Sequence, residues 1–189
     1  MIRAVLAVLL AVALLGVSLP VLDDAREERS ETLVESELDR IEAAAVDLTS
    51  TEEAVKLDAL GRAVDGDKAT EATGLQTASR RSLSVDVPGQ TLTEAPVEYI
   101  AVGGVPVADR PAGSSSRNGG VDDGAGVLAY RLADGDTRVR HTPVEFRAGN
   151  ANGTISPEGD PLVLRGDAEL VLSLVELDGD RVVLVRRRG

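Results

Sequence analysis

The sequence predicts an α+β protein in which an N-terminal transmembrane helix continues into an acidic helical stalk, followed by a small antiparallel β-sheet or sandwich. Three observations predict this class. An uncharged apolar run opens the 189-residue chain, apolar residues then recur at helical spacing, and from about Arg81 they alternate with polar residues as in strands. The expected domains are an anchor at 1–22, a stalk at 23–68 and a β-rich extracytoplasmic domain at 69–189.

The expected anchor is the uncharged run Ala4–Leu22. As an α-helix, these 19 residues would span about 28 Å, which matches the core of a bilayer. Arg3 precedes the run, and acidic residues follow it at Asp23, Asp24, Glu27 and Glu28. Because the positive end of such a segment stays in the cytoplasm, the rest of this single-pass protein should lie outside the cell membrane. A cleaved secretory signal is the alternative, and it exports the same residues.

The acidity of the chain is concentrated directly after the anchor. The net charge of the whole chain is −12, and residues 23–67 carry −10 of it, from 5 basic and 15 acidic side chains. This segment is typical of a helix with a narrow apolar stripe, whose members are Val34, Leu38, Ile41, Ala45 and Leu48. The stripe is a candidate helix interface that packs either against the chain's own domain or against a neighbouring chain.

A second helix is expected to complete the stalk. Ser50 and Glu53 form a Ser-x-x-Glu capping box, a pattern that marks a helix N-terminus. The predicted helix starts near Thr51 and includes Val55 and Leu57.

About seven strands are expected in the β-rich domain. The first includes Leu83 and Val85, which alternate with polar residues. The dipeptides Asp134-Gly135 and Asp178-Gly179 each lie between alternating apolar runs, which is a strong hairpin signal. Further strands are expected after Pro96 and near residues 144–147 and 162–165.

Two loop segments carry possible functional signals. Residues 112–126 contain five glycines and three serines without periodicity, which predicts a flexible loop. Asn152-Gly153-Thr154 matches an N-glycosylation acceptor in a Gly- and Asn-rich loop, so Asn152 is a candidate glycosylation site.

Few residues point to catalysis or metal binding. The chain has no cysteine and a single histidine, His141, and it carries no nucleophile elbow, Walker A or dinucleotide motif. Three Asp-Gly-Asp triplets, at 65–67, 134–136 and 178–180, lack the rest of a calcium loop and suit turns. We therefore expect no catalytic residue, no cofactor and no metal. The net charge repels phosphates, so nucleic acid is not an expected partner.

The composition resembles that of proteins from salt-loving archaea. Acidic residues dominate, and Lys56 and Lys68 are the only lysines. Such a halophilic chain should loosen at low ionic strength, where charge repulsion is screened least, and the stalk should loosen first.

The architecture resembles the type IV pilin-like proteins, including pseudopilins and archaeal pilins, and also membrane-anchored families of salt-loving archaea. An apolar helix that contains Gly16 and Pro20 continues as an amphipathic helix and then meets a β-rich head. The resemblance implies a non-enzymatic, membrane-anchored surface protein that is a subunit or accessory of a surface filament or secretion apparatus. Its partners would be the membrane and, in a homo- or hetero-oligomer, other chains that it contacts through the N-terminal helices. The alternatives are a stalked binding module that uses loop 112–126 and a hydrolase with a carboxylate site.

Overall fold

The structure is a computed structural model and describes residues 2–50, 54–57, 78–89, 91, 93–110, 126–133, 135–150, 155–156 and 160–188. Before Asp23 it describes the backbone together with the side chains of Leu6 and Leu10. Most of the expected second helix, loop residues 112–125 and the acceptor Asn152 lie outside the described residues.

One long helix, α1 (Ile2–Thr49), begins the chain and contains 48 residues, a length of about 72 Å. It joins the expected anchor to the first part of the expected stalk without a break. Ser50 closes its C-terminal end, where the carbonyl groups lack helical partners. The Ser50 hydroxyl donates to the Asp47 carbonyl at 2.6 Å, and the Ser50 N–H donates to the Val46 carbonyl at 3.2 Å. Ser50 thus ends one helix instead of starting another.

The described residues after α1 form nine strands in two sheets. Together with the helix, they confirm the α+β class. The strands are β1 (Val55–Leu57), β2 (Arg80–Val85), β3 (Val97–Val102), β4 (Val127–Leu132), β5 (Thr137–His141), β6 (Phe146–Gly149), β7 (Leu162–Leu164), β8 (Ala168–Leu177) and β9 (Asp180–Arg187).

The larger sheet has five strands and is mixed. Strand β8 pairs antiparallel with β9 along one edge, and along the other edge it pairs antiparallel with β2 and parallel with β1. Strand β6 joins β9 in parallel. The prediction of purely antiparallel strands is therefore wrong for this sheet. Long stretches of chain separate β1 from its parallel partner β8 and β6 from its parallel partner β9, as parallel pairing requires.

The smaller sheet has four strands and is antiparallel throughout, in the order β5-β4-β3-β7. Strands β4 and β5 form the first predicted hairpin. Its turn is closed by the Gly135 N–H, which donates to the Leu132 carbonyl at 3.1 Å.

The second predicted hairpin is confirmed in β8 and β9. Its two turn residues have positive φ angles, 54° at Asp178 and 96° at Gly179. A two-residue hairpin whose turn matches the strand twist needs positive φ at both positions, and Asp-Gly is a preferred pair there. The third Asp-Gly-Asp triplet thus serves as a turn.

The predicted second helix is wrong at the residues that the structure describes. Val55–Leu57 form β1, in register with Val175–Leu177 of β8. Val55 packs against a buried cluster that includes Val182 and Leu184. Strand pairing satisfies the backbone and buries a β-branched side chain, and this tertiary contact overrides the local capping signal.

The main core lies where α1 meets both sheets. Buried side chains of the helix join those of β2, β6, β8 and β9 from the mixed sheet and those of β3, β4 and β7 from the antiparallel sheet. Two smaller clusters cover the opposite faces of the sheets.

The N-terminal part of α1 carries the expected anchor. The backbone of residues 2–22 is helical, and the described side chains Leu6 and Leu10 are 64% and 62% exposed. Among the residues that the structure describes, no helix is both long and apolar enough to cross a membrane.

Candidate functional site

The apolar stripe of α1 lies in the core of the chain's own domain. No residue of the candidate interface is more than 6% exposed. The five side chains share one cluster with both sheets, and its sheet members include Leu172, Val185 and Leu128. The spacing had left two partners open, and the described packing is against the chain's own sheets. The stripe of Val34, Leu38, Ile41, Ala45 and Leu48 therefore has no free face for a neighbouring chain.

Ser30 marks the point where α1 enters the domain. It is fully buried, and its hydroxyl donates to the Ala95 carbonyl at 2.9 Å. The preceding Arg29 lies 3.8 Å from the Glu94 carboxylate. Residues 23–29 are mostly exposed. The helix thus has a seated part from Ser30 onward and a projecting part before it.

Acidic side chains of the seated helix pair with arginines of the strands. Glu31 pairs with Arg138, and Asp39 and Glu42 both pair with Arg140, the latter at 2.7 Å. The hydrogen bond that the Arg140 guanidinium donates to the Asp39 carboxylate is the largest cause that raises the pKa of Arg140. These partly exposed pairs fix the lateral position of the helix on the antiparallel sheet.

A matching pair ties the helix to the mixed sheet. Asp47, near the end of α1, lies 2.7 Å from Arg81 of β2. The negative charge of the seated helix is thus met by positive charge from both sheets. Pairs at such exposure contribute about 0.2–1 kcal/mol each, so they orient the helix more than they hold it.

A second polar cluster lies on the far face of the antiparallel sheet. Arg131 pairs with the carboxylates of Glu98 and Asp109, and its guanidinium carbon lies 5.9 Å from the centre of the Tyr99 ring. The Tyr99 hydroxyl lies 3.0 Å from the Thr137 hydroxyl. Asp109 belongs to a short 3-10 turn after β3, so the cluster pins the segment that leads into loop 112–126.

The chemistry of this cluster is that of a structural contact and not of a reactive site. Two carboxylates compensate the charge of Arg131, so an anionic ligand gains little from it. Burial raises the pKa of Tyr99 to about 12, so its phenol is even further from ionising at ordinary pH than a free tyrosine, whose pKa is about 10. A neutral phenol hydrogen-bonded to a threonine supplies no activated nucleophile.

The remaining sequence candidates are placed as follows. His141 is the last residue of β5 and is exposed. The described part of the second Asp-Gly-Asp triplet lies in the β4–β5 turn, and the first triplet, like Asn152, lies outside the described residues. Among the described residues, no group of three or more His, Cys, Asp or Glu side chains could hold a metal ion.

The sequence analysis missed the strand arginines. Arg138 and Arg140 lie opposite Tyr130 and Leu128, two buried residues of the main core. They therefore occupy the core-facing side of an edge strand, where alternation predicts apolar side chains. Arginines at positions where alternation predicts apolar residues, in a chain with an acidic helix, were the signal from which the helix–sheet ion pairs could have been predicted.

The Tyr99 phenol predicts a pH-dependent loss of stability. Its pKa is raised in the folded protein, so its contribution to stability is complete below the unfolded value of about 10 and is lost as the pH rises towards about 12. The chain has two tyrosines, so the variant Tyr130→Phe leaves Tyr99 as the only phenol. Its tyrosinate absorbance should appear near pH 12 while circular dichroism reports a folded chain. Ionisation of the folded variant near pH 10 would contradict the described burial.

Comparisons with known proteins give a family without an assigned activity. No curated protein and no solved structure shows a significant match. A family model with the description "Domain of unknown function (DUF7311)" matches residues 1–188. Because the match covers nearly the whole chain, this protein belongs to the DUF7311 family.

Proposed function

We propose that this protein is a non-enzymatic, membrane-anchored surface protein, a pilin-like subunit or accessory of a surface filament or secretion apparatus. The observation that carries the proposal is the single helix α1, whose C-terminal part is buried in a β-domain and whose N-terminal part projects from it. This arrangement supports the resemblance to pilin-like proteins, in which an N-terminal helix is the anchor and the assembly element and the head faces outward.

The projecting part of α1 has the composition of an anchor. Ala4–Leu22 contains no charged residue, and the two side chains described within it, Leu6 and Leu10, are exposed to solvent in the isolated chain. Exposed leucines on a projecting helix need an apolar environment, and a bilayer or a bundle of like helices supplies one.

A short charged segment separates this run from the domain. Residues 23–29 span about 10 Å as a helix, are mostly exposed and include Asp23, Asp24, Glu27 and Glu28. This segment would keep the β-domain just clear of the lipid headgroups. Since Arg3 lies at the other end of the apolar run, the domain belongs on the extracytoplasmic side.

Burial of the stripe restricts how copies can associate. The stripe of Val34, Leu38, Ile41, Ala45 and Leu48 packs against both sheets of the same chain, so it is not available for contacts between the helices of neighbouring chains. We take the projecting part of α1 as the assembly surface, because it is uncharged over residues 4–22 and its described side chains Leu6 and Leu10 are exposed.

Membrane attachment is tested by charge substitution in the projecting part. We expect the full-length chain to stay in the membrane pellet after an alkaline carbonate wash. The double variant Leu6→Arg/Leu10→Arg should be released, because each charge in a membrane helix costs up to about 3 kcal/mol. The matched control is Val46→Arg/Val107→Arg, which places the same charges at exposed apolar positions of the domain. A wild-type chain that washes off, or a helix variant retained like the control, would refute the anchor.

Assembly through the projecting helix is tested by crosslinking in the membrane. The chain has no cysteine, so single cysteines report without background. Leu10→Cys should form a disulfide between copies, or with a different subunit, under mild oxidation. Leu38→Cys should not, because Leu38 is 1% exposed in the core. Crosslinking of Leu38→Cys in a folded chain would show that the stripe is the interface, and an absence of crosslinks from Leu10→Cys and from a second variant, Leu6→Cys, would argue against assembly.

A further inference from the structure

The C-terminal arginine run is divided by the alternation of β9. Arg187 is the last residue of β9, Arg188 follows it, and both have polar partners. Arg187 donates to the Asp167 carbonyl at 3.5 Å, and Arg188 pairs with Glu169 at 2.6 Å. Arg186 points to the other face of the sheet, away from α1. In the part of the chain that the structure describes, Arg186 forms no ion pair, although acidic residues outnumber basic ones by 32 to 20 in the whole sequence.

The register of the mixed sheet gathers further polar groups beside Arg186. Arg80 of β2 lies opposite Ser173 of β8, Ser173 lies opposite Leu184 of β9, and Leu184 lies opposite Arg147 of β6. Arg186 occupies the adjacent row on the same face. We name Arg80, Arg147, Ser173 and Arg186 the arginine face. Facing side chains in neighbouring strands are about 5 Å apart at Cβ, and diagonal ones about 7–8 Å.

The aliphatic part of the Arg186 side chain packs against a glycine of the neighbouring strand β6. It crosses the backbone of Gly149, where an added Cβ would lie 2.9 Å from its Cγ. A glycine here lets the aliphatic stem of the arginine lie close to the sheet. The stem of Arg186 is therefore packed against the backbone of β6.

Two buried donors of the arginine face lack acceptors among the described residues. Ser173 is 0% exposed and its Oγ has no hydrogen-bond partner. The Nε atom of Arg186 is also buried without an acceptor. Buried donors are nearly always satisfied in folded proteins, so two on one face, Ser173 Oγ and Arg186 Nε, indicate an absent acceptor. Burial disfavours the charged guanidinium of Arg186 and is the largest cause that lowers its pKa. Repulsion by the neighbouring charge of Arg80 lowers this pKa further.

The charge of the arginine face defines the missing acceptor. Glu145 lies 2.7 Å from Arg147 and compensates its positive charge. Among the described residues, the positive charges of Arg80 and Arg186 are left without a compensating carboxylate. We propose that Arg80, Arg186 and Ser173 form a binding site for a dianionic tetrahedral oxyanion, namely sulfate, hydrogen phosphate or a phosphate monoester. Such an ion offers four oxygens, enough for two guanidinium groups and a hydroxyl, and guanidinium groups bind such oxyanions in bidentate geometry. A lone carboxylate has one charge and two oxygens and would leave the site half satisfied.

The test is the thermal unfolding of the full-length chain in a non-ionic detergent. Sodium sulfate, sodium phosphate and glycerol 3-phosphate are each titrated against sodium chloride at constant ionic strength. Binding to the folded chain should raise Tm along a saturating curve. If phosphate and glycerol 3-phosphate have the same apparent affinity, we assign the site to the free ion. If glycerol 3-phosphate has the higher apparent affinity, we assign the site to an esterified phosphate.

Three variants decide whether the arginine face is responsible. Arg186→Gln should weaken the apparent affinity at least about tenfold, as expected for loss of a charged hydrogen bond, and in chloride it should unfold at or above the wild-type Tm. Arg80→Gln, at an exposed position, should weaken affinity similarly and serves if Arg186→Gln does not fold. Arg187→Gln, the neighbour on the opposite face, should retain wild-type affinity. The proposal is overturned if the wild type shows no saturating response, or if Arg80→Gln responds like the wild type.

Discussion

The seated half of α1 holds the molecule together. The two sheets share no hydrogen-bonded strand pair among the described strands, so side-chain packing must join them. The stripe from Val34 to Leu48 supplies a large part of that packing, since it contacts strands of both sheets. Burying a large aliphatic side chain contributes about 1.5–3 kcal/mol, and the stripe has four such residues besides Ala45. Their sum is comparable with the whole stability of an ordinary domain, about 5–15 kcal/mol. The helix–sheet ion pairs are smaller and set orientation.

This arrangement changes the meaning of the acidic segment. In the sequence it looks like a self-repelling stalk, but four of its carboxylates, on Glu31, Asp39, Glu42 and Asp47, face strand arginines. Attraction between the helix and the sheets is strongest at low ionic strength, which opposes the expected loosening. The acidic side chains before Ser30 project away from the domain. Salt sensitivity in this part of the chain should therefore concentrate in the projecting helix.

Local periodicity predicted the elements whose stabilising contacts are near in sequence. The apolar stripe of α1, with its alternating spacing of four and three residues, and the two Asp-Gly hairpins could be predicted without knowledge of distant residues. Both appear as expected. The errors involve partners far along the chain. Val55 became part of a strand because β8 lies beside it, and Ser50 looked like an N-cap although its hydroxyl bonds backwards to Asp47. The arginine face depends on the register of four strands, so no residue near Arg186 in the sequence predicted that Arg80 and Ser173 would lie beside it.

The central claim is that the seated part of α1 and both sheets unfold as one unit while the segment before Ser30 behaves separately. Native-state amide hydrogen exchange on the full-length chain measures this most directly. We predict that amides of residues 34–48 exchange with the same opening free energy as those in the centres of β8 and β4, and that amides of residues 23–29 open at a much lower free energy. Exchange of residues 34–48 at a lower free energy than both strands would show that the helix is a detachable stalk and would contradict the account.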